Sequence, residues 1–534
     1  MKDSDGGEER RRRVDGLVRS AFVMTLMTSL SRVLGLVREQ VRSNLLGTGA
    51  GSDAFGLAAL LPNLLRRLFA EGATTAAFVP VFTETKERSG RAELWLFASR
   101  FLSLLTLVTT AVSLGGVLLA PWIVNTFFGE GFAEVEGKVE LTIVLTQIMF
   151  PYLALISVAA IIQGILNSFG HFGPSAFTPV LLNLAIIGCA VLLRDLFPDP
   201  SYAFAVGFIL GGTIQLGFQI PFLIRIGGRI KPTLRVCSPR VREVLKIMGP
   251  GVFAAGIYQI NVFVSQMLAS RLQEGSVASL QYSLRLQELV LGVFVVSLST
   301  VILPTLSRHV ARGERDEARD TLVFVLGLLT LVTLPATVGL IVLGAPIVRL
   351  LFEHGEFSAH STRLTTLVLL FHALALYPVA VGRVGQQAFF AMKNQRTPMR
   401  VGALSMVVNV TLCLMLPGLF APERAHGGIA AAGAIAATTN AAVLLLLLRG
   451  KLGAIAGRAL IISLLRVGLA AVAMGAIMWG LREAWGLELD QGRLVLALKL
   501  VVVGGAGVLA FLAAAAALRS PELSELKALI RRRL

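Results

Sequence analysis

The sequence predicts an all-α polytopic membrane protein of about fourteen transmembrane helices, arranged as two six-helix repeats plus two C-terminal helices. Three observations predict it. Apolar residues make up 55% of the 534, charged residues only 15%, and the mean hydropathy of +0.75 is far too high for a soluble chain of this length. The apolar runs are long and continuous instead of alternating over about ten residues, which argues against a membrane β-barrel. Finally, the two halves echo each other at a nearly constant offset.

Hydropathy and turn residues place spans near 20 to 46, 53 to 85, 95 to 125, 138 to 167, 175 to 194, 202 to 224, 243 to 272, 276 to 306, 320 to 352, 361 to 392, 398 to 420, 427 to 448, 459 to 482 and 494 to 518. The organisation is then a basic N-terminus (1–19), an N-lobe (20–226), a C-lobe (240–450), two further helices (455–518) and a basic tail (519–534).

The first span imitates a signal peptide, with Arg10 to Arg13 before an apolar run. Arg32 and Arg38 interrupt that run and no small-residue cleavage site ends it, so it reads as an uncleaved helix. In the second span Arg66 and Arg67 stand between AFGLAALLPNLL and LFAEGATTAAFVPVF, neither long enough to cross a core of about 30 Å alone. One long helix carrying both arginines is therefore expected.

Basic residues follow the even-numbered spans. Lys86, Arg88 and Arg91 follow the second, Arg225 to Arg242 the sixth, Arg308 to Arg315 the eighth, Lys393 and Arg396 the tenth, and Arg449 and Lys451 the twelfth. Arg531 to Arg533 end the chain, and the alternate loops carry acids such as Glu130, Glu134 and Glu136, or Glu353 and Glu356. By the positive-inside rule both termini are cytoplasmic. The net charge of +17 thus reports orientation and not a nucleic-acid partner.

The repeat is read from matched residues. Pro80 matches Pro304, Gln163 matches Gln387 and Pro174 matches Pro398, all at one and the same offset, and APWIVNTFFGEGF at Ala120 returns as APIVRLLFEHGEF at Ala345. Six spans per repeat insert both copies the same way up, so a parallel pseudo-twofold along the membrane normal relates them. Span eight is then the counterpart of span two, and Arg285 is expected to oppose Arg66. Depth follows from counting along each helix, from Asp53 to Arg66, from Ser276 to Arg285, and from the start of span one to Arg32. At about 1.5 Å per residue these are depths of roughly 20, 14 and 18 Å, all near mid-bilayer.

Charges inside a membrane usually line a polar pathway. In the first two spans Arg32, Arg38, Arg42, Arg66 and Arg67 outnumber Glu39, Asp53 and Glu71, an excess that favours an anionic ligand. Arginine suits bidentate contact with phosphate and stays charged. The competing reading is internal pairing of Arg67 with Glu71, Arg285 with Glu288 and Arg32 with Glu39, while Arg42 is also placed to snorkel.

Other motifs read as structural. GTGAGSD at 47–53 lacks the Lys-Ser/Thr of a phosphate loop and reads as a tight turn. Cys189, Cys237 and Cys413 cannot all pair, the six histidines have no metal-ligand spacing, and no nucleophile-base set is evident, so no metal, cofactor or catalytic residue is expected. Arg466 and Lys499 read as snorkelling residues or as flanks of a lipid-facing groove, and PELSELKALIRRRL as a short amphipathic surface helix.

At RVLGLVREQV and SDAFGLAALLPNLLRRLFAEGATTAAFVPVF the sequence closely resembles the MurJ (MviN) family of bacterial lipid II flippases, within the multidrug/oligosaccharidyl-lipid/polysaccharide exporter superfamily. The resemblance continues through QGILNSFGHFGPSAFTPVLLN, TVILPTLS and KNQRTP, so it covers essentially the whole chain. It implies two six-helix lobes around a central cavity, with the last two helices beside a groove for a polyprenyl tail. It also implies that Arg32, Arg38, Arg66 and Arg285 match the family's cavity arginines, with Asp53 and Glu288 matching its acids. Glu39 stands where an Asp is common, and Asn63 and Arg67 complete the expected substrate-binding set. Some members resemble sodium-binding transporters, but here spans seven and eleven offer Asn261 and Asn409 and no carboxylate.

The implied partners are lipid II, the phospholipid bilayer of the bacterial cytoplasmic membrane and the cell-wall synthesis machinery. The implied activity is alternating-access translocation of the undecaprenyl-pyrophosphate-linked precursor to the outer leaflet, with the arginines on the pyrophosphate. Two alternatives stay open: a flippase or exporter of another lipid-linked oligosaccharide or drug, and a membrane enzyme acting on polyprenyl pyrophosphate.

Overall fold

The computed structural model describes residues 3–69, 73–132, 134–292, 296–453, 455, 457–487 and 492–524, and the regular structure among them is entirely helical. In chain order the helices are α1 (Asp3–Leu46), α2 (Ala50–Phe69), α3 (Ala73–Arg88), α4 (Arg91–Phe132), α5 (Lys138–Met149), α6 (Tyr152–Ser168), α7 (Phe172–Leu193), α8 (Ser201–Arg225) and α9 (Pro239–Ser270). There follow α10 (Ser276–Val290), α11 (Val296–Arg312), α12 (Arg315–Phe352), α13 (Ala359–Leu374), α14 (Leu376–Ala391), α15 (Arg396–Met415), α16 (Ala425–Leu452), α17 (Arg458–Ala484) and α18 (Arg493–Ala517).

Nine helical stretches among the described residues are long and apolar enough to cross a membrane, and α13 with α14, bent by 43°, makes a tenth. The count expected from sequence was fourteen. The four expected spans outside that count are α1, α2 with α3, α9, and α10 with α11, the second and fourth of which contain residues outside the described set. Three of them, α1, α2 with α3, and α10 with α11, carry the arginines expected to line a polar pathway.

The single helix expected over 53–85 is described as α2 and α3, on either side of residues 70–72. Arg66 and Arg67 occupy the last turn of α2, and residues 70–72, including the Glu71 expected to pair with Arg67, lie outside the described set.

Helix bounds recur with the repeat. The starts of α4 and α12 (Arg91 and Arg315), of α7 and α15 (Phe172 and Arg396) and of α8 and α16 (Ser201 and Ala425) all differ by the offset that relates Pro80 to Pro304. Breaks recur too: α5 stops before Phe150 and Pro151, and α13 stops at Ala375. In each case a hydroxyl reaches a carbonyl at the break. Ser113 Oγ donates to Phe150 O at 3.1 Å and Thr337 Oγ1 to Ala373 O at 3.0 Å, and Ser113 and Thr337 are themselves counterparts at the repeat offset.

The chain forms two compact units, Met1–Phe263 and Val264–Leu534, with the division inside α9. In the first, α7 and α8 pack so closely that a Cβ on Gly207 would stand 2.8 Å from Ile186 Cα, an approach that only glycine permits. Phe78, Phe82, Trp95, Phe97, Phe101 and Phe169 form an aromatic core under α3, α4 and α6. In the second unit one core joins α11, α12, α14 and α16, and another joins α12 to α17 and α18.

Arg466 and Lys499 act as caps in this second core. Arg466 Nη1 donates to Arg519 O at 2.9 Å and Lys499 Nζ to Trp485 O at 2.7 Å, each satisfying a carbonyl at a helix C-terminus. All three cysteines are free thiols, Cys189 and Cys413 buried and Cys237 exposed. Of the expected surface helix at the tail, only the first turn falls within the described residues.

Candidate functional site

The first unit gathers a buried chain of charges along α1, α2 and α5. Arg38 Nη2 donates to Glu39 Oε1 at 2.7 Å, and the other Glu39 oxygen lies 3.5 Å from Arg42 Nη1. Arg42 Nη2 in turn donates to Ser52 O at 2.9 Å and to Ser52 Oγ at 3.2 Å, and its guanidinium stands 5.2 Å from the centre of the Phe55 ring. Next in the chain, Asp53 Oδ2 accepts from Lys138 Nζ at 2.9 Å, and that ammonium lies 4.3 Å from the centre of the Phe132 ring.

Burial separates the expected residues into two groups. Glu39, Arg42, Asp53 and Lys138 are each 5% exposed or less, whereas Arg32 and Arg67 are exposed and Arg66 is half-buried. The buried group is internally paired. Removing a partner there leaves an uncompensated charge, so its first effect is on stability. Arg42 does not snorkel, because Ser52 and Glu39 hold its head inside the unit.

The pairing expected between Arg32 and Glu39 is not formed. Glu39 is engaged by Arg38 and Arg42, and the seven positions from Arg32 span about 10.5 Å along a helix, too far for direct contact when nearer cations compete. Arg32 has no ion pair among the described residues. Arg66 Nε donates to Asn63 Oδ1 at 3.2 Å, and Asn63 Nδ2 donates to Ala59 O at 2.8 Å, so Asn63 orients Arg66 along α2. In the second unit the expected pair is formed: Arg285 Nη1 donates to Glu288 Oε2 at 2.9 Å, with both side chains more than 40% exposed. An exposed pair of this kind contributes at most about 1 kcal/mol and leaves the guanidinium available to a stronger anion.

Two residues of this network were not anticipated. Lys138 lies 85 positions from Asp53 and sits among loop acids, so no periodicity marks it as a buried partner. Asn183 on α7 is 6% exposed; its Oδ1 accepts from Arg38 Nη1 at 3.1 Å and its Nδ2 donates to Ser31 O at 3.1 Å. It ties α7 to α1 at two points, the Arg38 guanidinium and the Ser31 carbonyl. Asn183→Leu removes both bonds at nearly constant volume and is expected to lower growth-supporting activity at least several-fold while membrane yield stays normal. Loss of yield in step with activity would assign Asn183 to folding alone.

Asn409, one of the two neutral residues in spans seven and eleven, is 1% exposed; its Nδ2 donates to Ser265 Oγ at 2.8 Å. Cys413 Sγ lies 3.8 Å from Asn409 Oδ1. Among the described residues no group of three or more His, Cys, Asp or Glu is placed to hold a metal ion.

The arrangement places arginines on α1, α2 and α10, side chains chemically suited to an anionic group. Comparison with known proteins gives the family. Residues 42–499 match the family model described as "Lipid II flippase MurJ". A Vibrio cholerae protein named "Probable lipid II flippase MurJ" is 36% identical over 506 residues, covering 93% of this chain and 95% of that protein. The "Lipid II flippase MurJ" of Burkholderia cenocepacia is 31% identical over 438 residues, covering 81% and 84%. Among solved structures, a lipid II flippase MurJ in an inward closed conformation aligns with a TM-score of 0.75 at 26% identity, covering 92% of this chain and 98% of that one. An inward-facing multidrug transporter of the MATE family aligns at 0.68 with 16% identity, a likeness of fold. The chain belongs to the MurJ family of lipid II flippases.

Proposed function

We propose that the protein moves undecaprenyl-pyrophosphate-linked peptidoglycan precursor from the inner to the outer leaflet of the cytoplasmic membrane by alternating access, as a transporter and not an enzyme. The observation that carries this reading is the exposure of Arg32, Arg67 and Arg285, and the half-exposure of Arg66, on helices that are otherwise largely apolar. In hydrocarbon such groups are costly, so they face a polar pathway.

In this reading the substrate-binding set is Arg32, Arg38, Arg66, Arg67 and Arg285, with Asn63, Glu39, Asp53 and Glu288 orienting or balancing them. The arginines hold the pyrophosphate bidentately. Fourteen spans form two parallel six-span repeats and two further helices, and the recurrence of helix bounds and breaks at a single offset supports that arrangement. Movement of one repeat against the other separates Arg285 from the arginines of the first repeat and releases the anion. Outward movement of a negative charge is downhill in an inside-negative potential by about 2.3 kcal/mol per charge per 100 mV, so no nucleotide is needed.

Both termini are cytoplasmic in this proposal, which gives a direct test. Native Cys237, exposed in the basic loop before α9, should resist a membrane-impermeant thiol reagent in intact spheroplasts and react once they are permeabilised. A cysteine at the exposed Glu136, in a variant lacking Cys237, should react without permeabilisation. The opposite pattern would reverse the orientation and the direction of transport. Substrate class is tested in reconstituted vesicles, where labelled lipid II should change leaflet faster than a polyprenyl-linked O-antigen unit; equal rates would favour a broader exporter.

A further inference from the structure

The repeat offset aligns two places that differ in how they are filled. In the first unit Lys86, in the last turn of α3, donates from Nζ to Ser168 O at 2.9 Å and stands 4.5 Å from the centre of the Phe169 ring. That side chain staples the end of α3 to the end of α6. Arg91 opens α4 beside it, its Nη1 3.5 Å from where a Cβ on Gly227 would lie. The counterparts of Lys86, Ser168, Arg91 and Gly227 in the second repeat are Val310, Met392, Arg315 and Lys451. Valine can neither span the gap nor donate a hydrogen bond.

In the second unit this place is a cavity of about 510 Å³, lined among others by Val310, Gly313, Glu314, Arg315, Met392 and Lys451. Val310 and Met392 belong to its apolar floor, continuous with the core under α11, α14 and α16. Arg315 and Lys451 are exposed at its edge and make no ion pair among the described residues. The carboxylate in the lining, Glu314, is taken up by His309 Nδ1 at 2.8 Å and Arg312 Nη1 at 3.8 Å. The edge is therefore cationic over an apolar floor.

We infer that this cavity binds a phosphate-bearing amphiphile, the headgroup and glycerol region of an anionic phospholipid. Two cations suit a phosphodiester, and the apolar floor offers nothing to a free inorganic anion but accommodates the first carbons of a lipid. The cavity opens where α11 and α16 end and α12 begins, at the level where headgroups lie beside the basic loops. A bound lipid would hold α11 to α14 as Lys86 holds α3 to α6, and α11 is the next helix in the chain after α10, which bears Arg285. Bilayer composition thereby acts on the transport cycle.

The test uses the full chain purified in zwitterionic detergent, titrated with short-chain phosphatidylglycerol, short-chain phosphatidylcholine and inorganic phosphate, with bound lipid counted by native mass spectrometry. Phosphatidylglycerol should bind best, and Arg315→Gln with Lys451→Gln should weaken it roughly 10- to 30-fold, at about 1 kcal/mol per cation. Val310→Lys is the discriminating variant. It adds a positive charge yet fills the cavity with an amine placed to donate to the Met392 carbonyl as Lys86 donates to Ser168 O, so it should abolish binding, while general attraction of anions to a basic surface would increase it. Met392→Trp should also abolish binding by filling the space, without altering charge. An unchanged thermal midpoint in each variant shows that the fold is kept. Binding by Val310→Lys equal to or above wild type, or no preference over phosphatidylcholine, overturns the proposal. Inorganic phosphate competing as well as phosphatidylglycerol overturns the lipid assignment and gives the site to a free phosphate.

Discussion

Arg66→Ala, Arg32→Ala and Arg285→Ala should each abolish growth of a strain depleted of its lipid II flippase, with normal membrane levels of the variant protein. None of the three is buried in the paired network of the first unit, so removing one deletes a proposed ligand contact without leaving a buried internal charge. Lysine at the same positions should rescue only in part, because a point charge keeps the Coulomb term and loses the planar two-point contact with a pyrophosphate. A charge-assisted contact of that kind contributes about 1.5 to 3 kcal/mol, and the loss of one is roughly a 10- to 150-fold weakening. Normal growth of all three alanine variants would remove the cationic pathway from the account.

Lys138→Ala should behave differently, as a loss of protein before a loss of transport. Lys138 and Asp53 are 3% and 2% exposed and 2.9 Å apart, so alanine at 138 removes the cation that faces a buried carboxylate, at a cost of about 3 to 5 kcal/mol. The thermal midpoint in detergent should fall clearly and membrane yield should drop. The double variant Lys138→Met with Asp53→Leu removes both charges at similar volume and should recover most of that loss. If the double variant is stable but inactive, Asp53 also serves transport; if it is stable and active, the pair is purely structural. A single variant as stable as wild type would contradict the pairing.

What could be read from the sequence followed short-range pattern. The apolar runs marked most of the spans, and Pro80 with Pro304 and Pro174 with Pro398 gave the offset at which α4 and α12, α7 and α15, and α8 and α16 begin. The Arg285–Glu288 pair was legible because an i,i+3 spacing brings two side chains onto one helical face. The bonds from Lys138 to Asp53 and from Asn183 to Arg38 were not, because they join residues 85 and 145 positions apart. Such pairs depend on how helices pack, and periodicity along one helix carries no trace of them. Asp53 entered the expected substrate-binding set through the family resemblance, and in the folded chain it is half of a buried ion pair with Lys138.

The central claim is that this protein carries lipid II across the bilayer, and leaflet accessibility measures that most directly. Spheroplasts depleted of the protein are exposed to an added lipid II-cleaving enzyme that cannot cross the membrane, and the cleaved fraction is quantified. Cleavage should fall steeply on depletion while total lipid II rises, and should be restored by the wild-type chain but not by Arg66→Ala or Arg285→Ala. Cleavage that stays at the undepleted level, with the protein absent and no other flippase present, would contradict the account.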